Sequence, residues 1–162
     1  MPEISAFGWF HTIVGILALL TGFYSLIRFK VIRFSQSTGR AYLLLTLVAA
    51  ASALGIYKHG GFGVAHFLAV LTILAVLVGA VAEKTTLFGK LSRYLQAASY
   101  SATLLFHMIP AITDGLMRLP ADGPIVTDIE DPLLRGFYLA FLLTYLVGFS
   151  LQVVWLRKNP ES

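Results

Sequence analysis

The sequence predicts an all-α integral membrane protein, a single-domain bundle of five transmembrane helices. Three observations predict it. The 162 residues are 57% apolar and 12% charged, about half the ~25% charged content of a soluble domain, and the mean hydropathy is +0.80. The apolar residues collect into long runs, each close to the ~20 residues needed to cross a hydrocarbon core. The charges are sorted between alternate connections.

The runs place spans at 7–27, 41–57, 62–82, 94–116 and 133–156. The first follows Met1-Pro2-Glu3, which lacks the basic region of a cleavable leader, so it reads as a retained span. The second is the shortest and is accommodated by its flanks or by local bilayer thinning. The third follows the Gly-rich turn His59-Gly60-Gly61-Phe62-Gly63. The fourth carries Pro110, which frees the Phe106 carbonyl and predicts a kink. The fifth follows the outer loop 119–132, where Pro120, Gly123, Pro124 and Pro132 stand among four acids. That loop reads as an ordered cap or a lid. Small residues at helical spacing mark packing faces: Gly15, Ala18, Gly22 and Ser25 in the first span, Ala49–Ala53 in the second, and Ala65, Ala69, Thr72 and Gly79 in the third.

Charge sets the orientation. Of the twelve basic residues, Arg28, Lys30, Arg33, Arg40, Lys84, Lys90, Arg93, Arg157 and Lys158 fall on one side. The other side holds Lys58, Arg118 and Arg135 with Glu3, Asp114, Asp122, Asp128, Glu130 and Asp131. Cytoplasmic loops carry the Lys/Arg excess, so the N-terminus is expected outside and the C-terminus in the cytoplasm of a bacterial inner membrane. The net charge of +4 is therefore a topology signal, and no nucleic-acid partner is expected. The expected partners are the lipid bilayer, a second copy of the chain or another membrane subunit. The absence of cysteine excludes disulfides, thiolate metal sites and a cysteine nucleophile. Phosphate loops, dinucleotide fingerprints and nucleophile elbows are absent, so no complete catalytic set is visible.

The fourth span carries a polar stripe. Gln96, Tyr100, Thr103, His107, Asp114 and Arg118 recur at steps of three, four or seven and share one helix face. Ionisable groups at membrane depth are costly, so they face the bundle interior or a wet cavity and mark function. His11, His66 and Asp114 are each expected within roughly 3–7 Å of the outer interface, and His107 roughly 13–14 Å deep. His11, His66 and His107 are candidates for binding haem b through facing imidazoles, in electron transfer. The same three with Asp114 are candidates for a divalent metal. The alternative is a cofactor-free transporter or accessory subunit in which the His and Asp side chains relay protons. The competing reading is structural: each His bonds a carbonyl or hydroxyl and holds helices together, and Asp114 pairs with Arg118 at i, i+4. Tyr145 and Gln152 of the fifth span are expected to face the stripe, Tyr138 to be an interfacial anchor, and His59 to be solvated.

His11-x-x-x-Gly15, Gly39-Arg40-x-Tyr42, His59-Gly60-Gly61-Phe62-Gly63-x-x-His66 and the stretch 101–120, with Phe106-His107-x-Ile109-Pro110 and Arg118-Leu119-Pro120, resemble a family of bacterial multi-pass inner-membrane proteins of unknown function. The resemblance implies a small helical membrane domain and no activity. The likeness to four-helix membrane cytochromes b is superficial, because the histidine spacing matches no pattern of theirs.

Overall fold

The computed structural model describes residues 4–56, 61–120 and 122–160. Lys58 and His59 therefore lie outside the described residues. Among those described, five α-helices and one short 3₁₀ turn make up the regular structure: α1 Ala6–Phe29, α2 Ser37–Ala53, α3 Val64–Lys84, the turn Gly89–Leu91, α4 Ser92–Arg118 and α5 Pro132–Lys158.

Each boundary has a local cause. Ser5 caps α1 by accepting the Gly8 N–H at 3.1 Å. Lys30 ends α1 in the left-handed region, φ 67°, and returns its N–H to the Leu26 carbonyl. Asp131 caps α5 by accepting the Leu133 N–H at 2.8 Å, and Pro132 occupies the first turn, where a missing N–H costs nothing. The second helix starts four residues before the expected 41 and ends four before the expected 57. Its opening Ser37-Thr38-Gly39-Arg40 is polar, so hydropathy does not mark it as helix. Gly39 permits that start, since a Cβ there would overlap the Arg33 carbonyl.

The first four helices form a ring: α1 packs on α2, α2 on α3, α3 on α4, and α4 closes back on α1. α5 packs against α4. The centre of the ring is Ala18, Tyr42, Leu43, Val76, Tyr100 and Leu104, joined by Ile32 from the α1–α2 loop. Two of the predicted small residues sit at close approaches: a Cβ at Gly22 would come within 2.7 Å of the Tyr42 ring, and one at Gly79 would overlap the Tyr100 ring, whereas Gly15 meets nothing within 4 Å and Ala51 and Ala65 are exposed. Residues 122–131 fold back on the end of α4, with Val126 buried and its N–H on the Leu116 carbonyl at 3.1 Å.

The outside of this bundle is apolar. Ile13, Leu20 and Ile27 on α1, Phe67 and Leu74 on α3, and Leu139, Leu143 and Leu146 on α5 all point outward. Among the described residues three helices, α1, α3 and α5, are long and apolar enough to cross a membrane. α2 and α4 differ for distinct reasons: α2 has 17 residues, and α4 carries the polar stripe inward. Apolar surface on this scale marks a membrane or partner surface, and the chain has the make-up of a membrane-embedded protein.

Ring contact at Gly79 sets a stability prediction. Gly79→Ala should cost about 1–3 kcal/mol through overpacking against Tyr100. Gly136→Ala meets open space and should be neutral or gain up to ~1 kcal/mol from helix propensity. Unfolding in detergent checks the pair; equal stabilities would mean that the Tyr100 ring does not rest on Gly79.

Candidate functional site

The polar stripe of α4 faces the middle of the ring. His107 on α4 places Nε2 3.1 Å from Thr46 Oγ1 on α2. Thr46 stands one turn after Tyr42 on the same helix, near its hydroxyl. The Tyr42 hydroxyl meets Thr103 Oγ1 on α4, and Thr103 Oγ1 donates to the Tyr100 carbonyl at 2.7 Å. Tyr42, Thr46, Tyr100 and Thr103 are each 0% exposed, so no solvent competes for these bonds.

The last acceptor fixes the direction of the Tyr42–Thr103 bond. A carbonyl only accepts, so Thr103 donates to it and accepts from Tyr42. Each hydroxyl has one proton, so the Tyr42 proton is the one shared with Thr103. Between Thr46 and His107 the donor is set by the tautomer of the imidazole. Beside it, His11 on α1 places Nδ1 2.9 Å from Ser52 Oγ and 3.1 Å from the Ala49 carbonyl, both on α2. Ser52 Oγ itself donates to Ala49 O at 2.9 Å, so His11 Nδ1 carries a proton for that carbonyl. The two imidazoles are close enough to interact electrostatically. The Tyr42 ring lies 6.4 Å from the His107 ring, centroid to centroid.

A second cluster closes the basic end of the bundle. The 30–36 loop turns its start into the bundle: Val31 and Ile32 are buried, while Lys30 and Ser35 stay exposed. Its backbone polar groups are met by three helices. Glu83 at the end of α3 accepts the Phe34 N–H at 2.9 Å and the Ser35 N–H at 3.2 Å. Gln96 of α4 donates to the Ile32 carbonyl. Gln152 of α5 donates to the Lys30 carbonyl at 2.9 Å and accepts from Ser101 Oγ at 2.9 Å. Tyr100 joins the two clusters, because its hydroxyl donates to Glu83 Oε2 at 3.0 Å. The Lys84 ammonium sits 4.5 Å from the Phe34 ring centre.

The candidate residues divide accordingly. His11 and His107 come together. His66 is buried on α3 but turns back on its own helix, where Nδ1 accepts the Gly63 N–H at 3.1 Å and the ring stacks on Phe62 at 5.2 Å. Asp114 is half-exposed and lies 3.8 Å from Arg118, as an i, i+4 ion pair. Among the described residues no group of three or more His, Asp or Glu side chains is arranged to hold a metal ion. Tyr145 donates to the Ala98 carbonyl of α4 at 3.2 Å, and Tyr138 meets Thr113 at 2.7 Å. α4 continues as a helix through Pro110.

Sequence reasoning missed Glu83, Tyr42 and Thr46. Glu83 had a signal: an acid in the last turn of an apolar helix opposes the helix dipole and calls for compensating donors. Tyr42 and Thr46 are one turn apart, facing the small-residue face of α1, but nothing in their spacing identifies His107 as the partner.

Comparison with family models, curated proteins and solved structures finds no match to this chain. The family resemblance drawn from His11, Gly39 and the 59–66 turn thus finds no support there, and what stands is the coarser statement of a helical, membrane-compatible protein.

Removing the Glu83 carboxylate leaves two backbone donors and the Tyr100 hydroxyl without their acceptor. Glu83→Ala should cost about 2 kcal/mol, in the range of losing bonds to a charged group. It should also speed hydrogen exchange at the Phe34 and Ser35 amides. Unchanged protection at those two amides would show that the loop is held by other contacts.

Proposed function

We propose that the chain is a five-span protein of the bacterial inner membrane, with its basic end in the cytoplasm and its acidic end outside, and that its interior is a proton relay. α2 and α4 complete the bundle by burying their polar faces in the ring, which keeps those groups out of lipid. The observation that carries the reading is the row of polar side chains His107, Thr46, Tyr42 and Thr103 between α4 and α2, of which Thr46, Tyr42 and Thr103 are fully buried.

In this reading a proton arrives at His107 Nδ1 from the His11 side. The Nε2 proton then passes to Thr46, Thr46 passes its own to Tyr42, and Tyr42 passes its own to Thr103. From Thr46 to Tyr42 this covers about 6 Å along the axis. Onward transfer to Tyr100 and Glu83 requires Thr103 to rotate off the Tyr100 carbonyl and a water to enter beside the Tyr100 ring. That rotation would make the inner half of the path a gate. Glu83, which accepts the Tyr100 proton bond, is the terminal acceptor at the basic end.

Haem b between His11 and His107 is the second reading. A bond from His11 Nδ1 to the Ala49 carbonyl is the kind of outer-shell contact that ligating histidines make. Proton flux into liposomes containing a pH dye separates the two. Flux should appear with the wild-type chain, fall at least tenfold in Thr46→Val and in His107→Ala, and persist in Asp114→Asn. Equal flux in wild type and Thr46→Val ends the relay reading. A reduced-state haem band lost with His11→Ala and His107→Ala would install the haem reading in its place.

A further inference from the structure

Away from the relay, α5 leans on α4 and leaves a gap toward α1. The gap is a trough of about 580 Å³, within the ~300–1,000 Å³ typical of ligand sites. Its walls include Phe23 of α1, Leu104 of α4, and Tyr145, Gly148 and Trp155 of α5, with Lys30 at one end. Apart from that end the lining is almost wholly apolar. Along α5 it runs from Phe141 to Trp155, about 21 Å by helical rise. That is enough to cover one leaflet, about half of a ~30 Å hydrocarbon core. Trp155 and Lys30 lie together at the basic end, where an indole marks the interface.

We propose that this trough binds one acyl chain of an anionic phospholipid, with the headgroup phosphate on Lys30. The charge arrangement selects the occupant. One N–H of the Lys30 ammonium goes to the Ile27 carbonyl at 2.9 Å, and an ammonium has three. Arg28, Arg33, Arg157 and Lys158 stand at the same end of the bundle, and basic pockets between spans on the cytoplasmic side take anionic headgroups. A neutral lipid would fill the trough without using this cation. The site rests on the membrane placement proposed above and is independent of the relay.

The test uses the full chain in mild detergent with equal phosphatidylglycerol and phosphatidylcholine, read by native mass spectrometry, with flotation on vesicles of the same lipids as a control. Wild type should retain phosphatidylglycerol about fivefold over phosphatidylcholine, the worth of one Lys at an anionic surface. Lys30→Asn, which suits the left-handed backbone there, should abolish the preference. Gly148→Phe places a ring in the trough from a position where an added Cβ meets nothing within 4 Å. It should reduce retention of both lipids at unchanged thermal stability. Equal retention of the two lipids by wild type, or retention unaffected by Gly148→Phe, overturns the site. Dimers that Gly148→Phe disrupts, without lipid preference, overturn it in favour of a second copy as occupant. A chain that does not float with vesicles overturns the membrane placement; one that floats without lipid preference overturns the trough alone.

Discussion

Burying Val31 and Ile32 of the 30–36 loop is the constraint on which the rest of the structure depends. Loops normally stay on the surface because their backbone polar groups have no other partners inside. This one enters the base of the bundle and brings Val31 and Ile32 into the core. It is tolerated because α3, α4 and α5 each give it a long polar side chain: Glu83, Gln96 and Gln152. The dependence is mutual. Glu83 sits at the negative end of the α3 dipole, and the two loop N–H groups with the Tyr100 hydroxyl stabilise its charge there. Gln96 and Gln152 would otherwise carry unmet amides into an apolar interior, where each costs free energy. The loop thus fixes the rotation of three helices about their axes.

Rotation set at the base determines what meets higher up. With Gln96 turned inward, Tyr100, Thr103 and His107 follow on the same face of α4 at steps of four, three and four. Between helices in lipid there is little hydrophobic driving force, so close packing and hydrogen bonds decide the association. Both are present here. The Tyr42 ring lies on Gly22 and the Tyr100 ring on Gly79, so each aromatic fills the groove left by a missing side chain. Each ring then carries a hydroxyl to a fixed place, Tyr42 to Thr103 and Tyr100 to Glu83. The small-residue faces do more than tighten the bundle: they aim the two tyrosines.

Much of this was legible in the sequence, for reasons that also explain the rest. Helix number and order followed from runs of apolar residues, because hydropathy reads length and sign. The inward turn of Gln96, Tyr100, Thr103 and His107 followed from helical spacing alone. The start of α2 did not, since Ser37-Thr38-Gly39-Arg40 is polar and its close approach to the Arg33 carbonyl is open only to a residue without a Cβ. Helical spacing and span order place His11, His66 and His107 toward the same end of the bundle. Azimuth was not legible, and azimuth divides them: His11 faces α2 beside His107, whereas His66 closes the first turn of its own helix on Gly63. Glu83 was legible only as an oddity, an acid ending an apolar helix. Its role needed the loop to be seen.

α4 separates two environments with one helix. Thr103 and Ser101 are two residues apart, which at about 100° per residue puts them on roughly opposite sides. Thr103 belongs to the dry chain inside the ring. Ser101 lines the trough and donates to Gln152. Gln152 then holds the Lys30 carbonyl, while Glu83 holds Phe34 and Ser35 of the same loop from the other side. The trough and the relay therefore share no wall residue with each other, yet both end on this loop. Any displacement of α5 that strains the Gln152 bond is borne by a loop whose other anchor is the carboxylate that accepts from Tyr100. A lipid seated against Lys30 would hold that anchor point still, keeping Glu83 and Tyr100 in register at the inner end of the path.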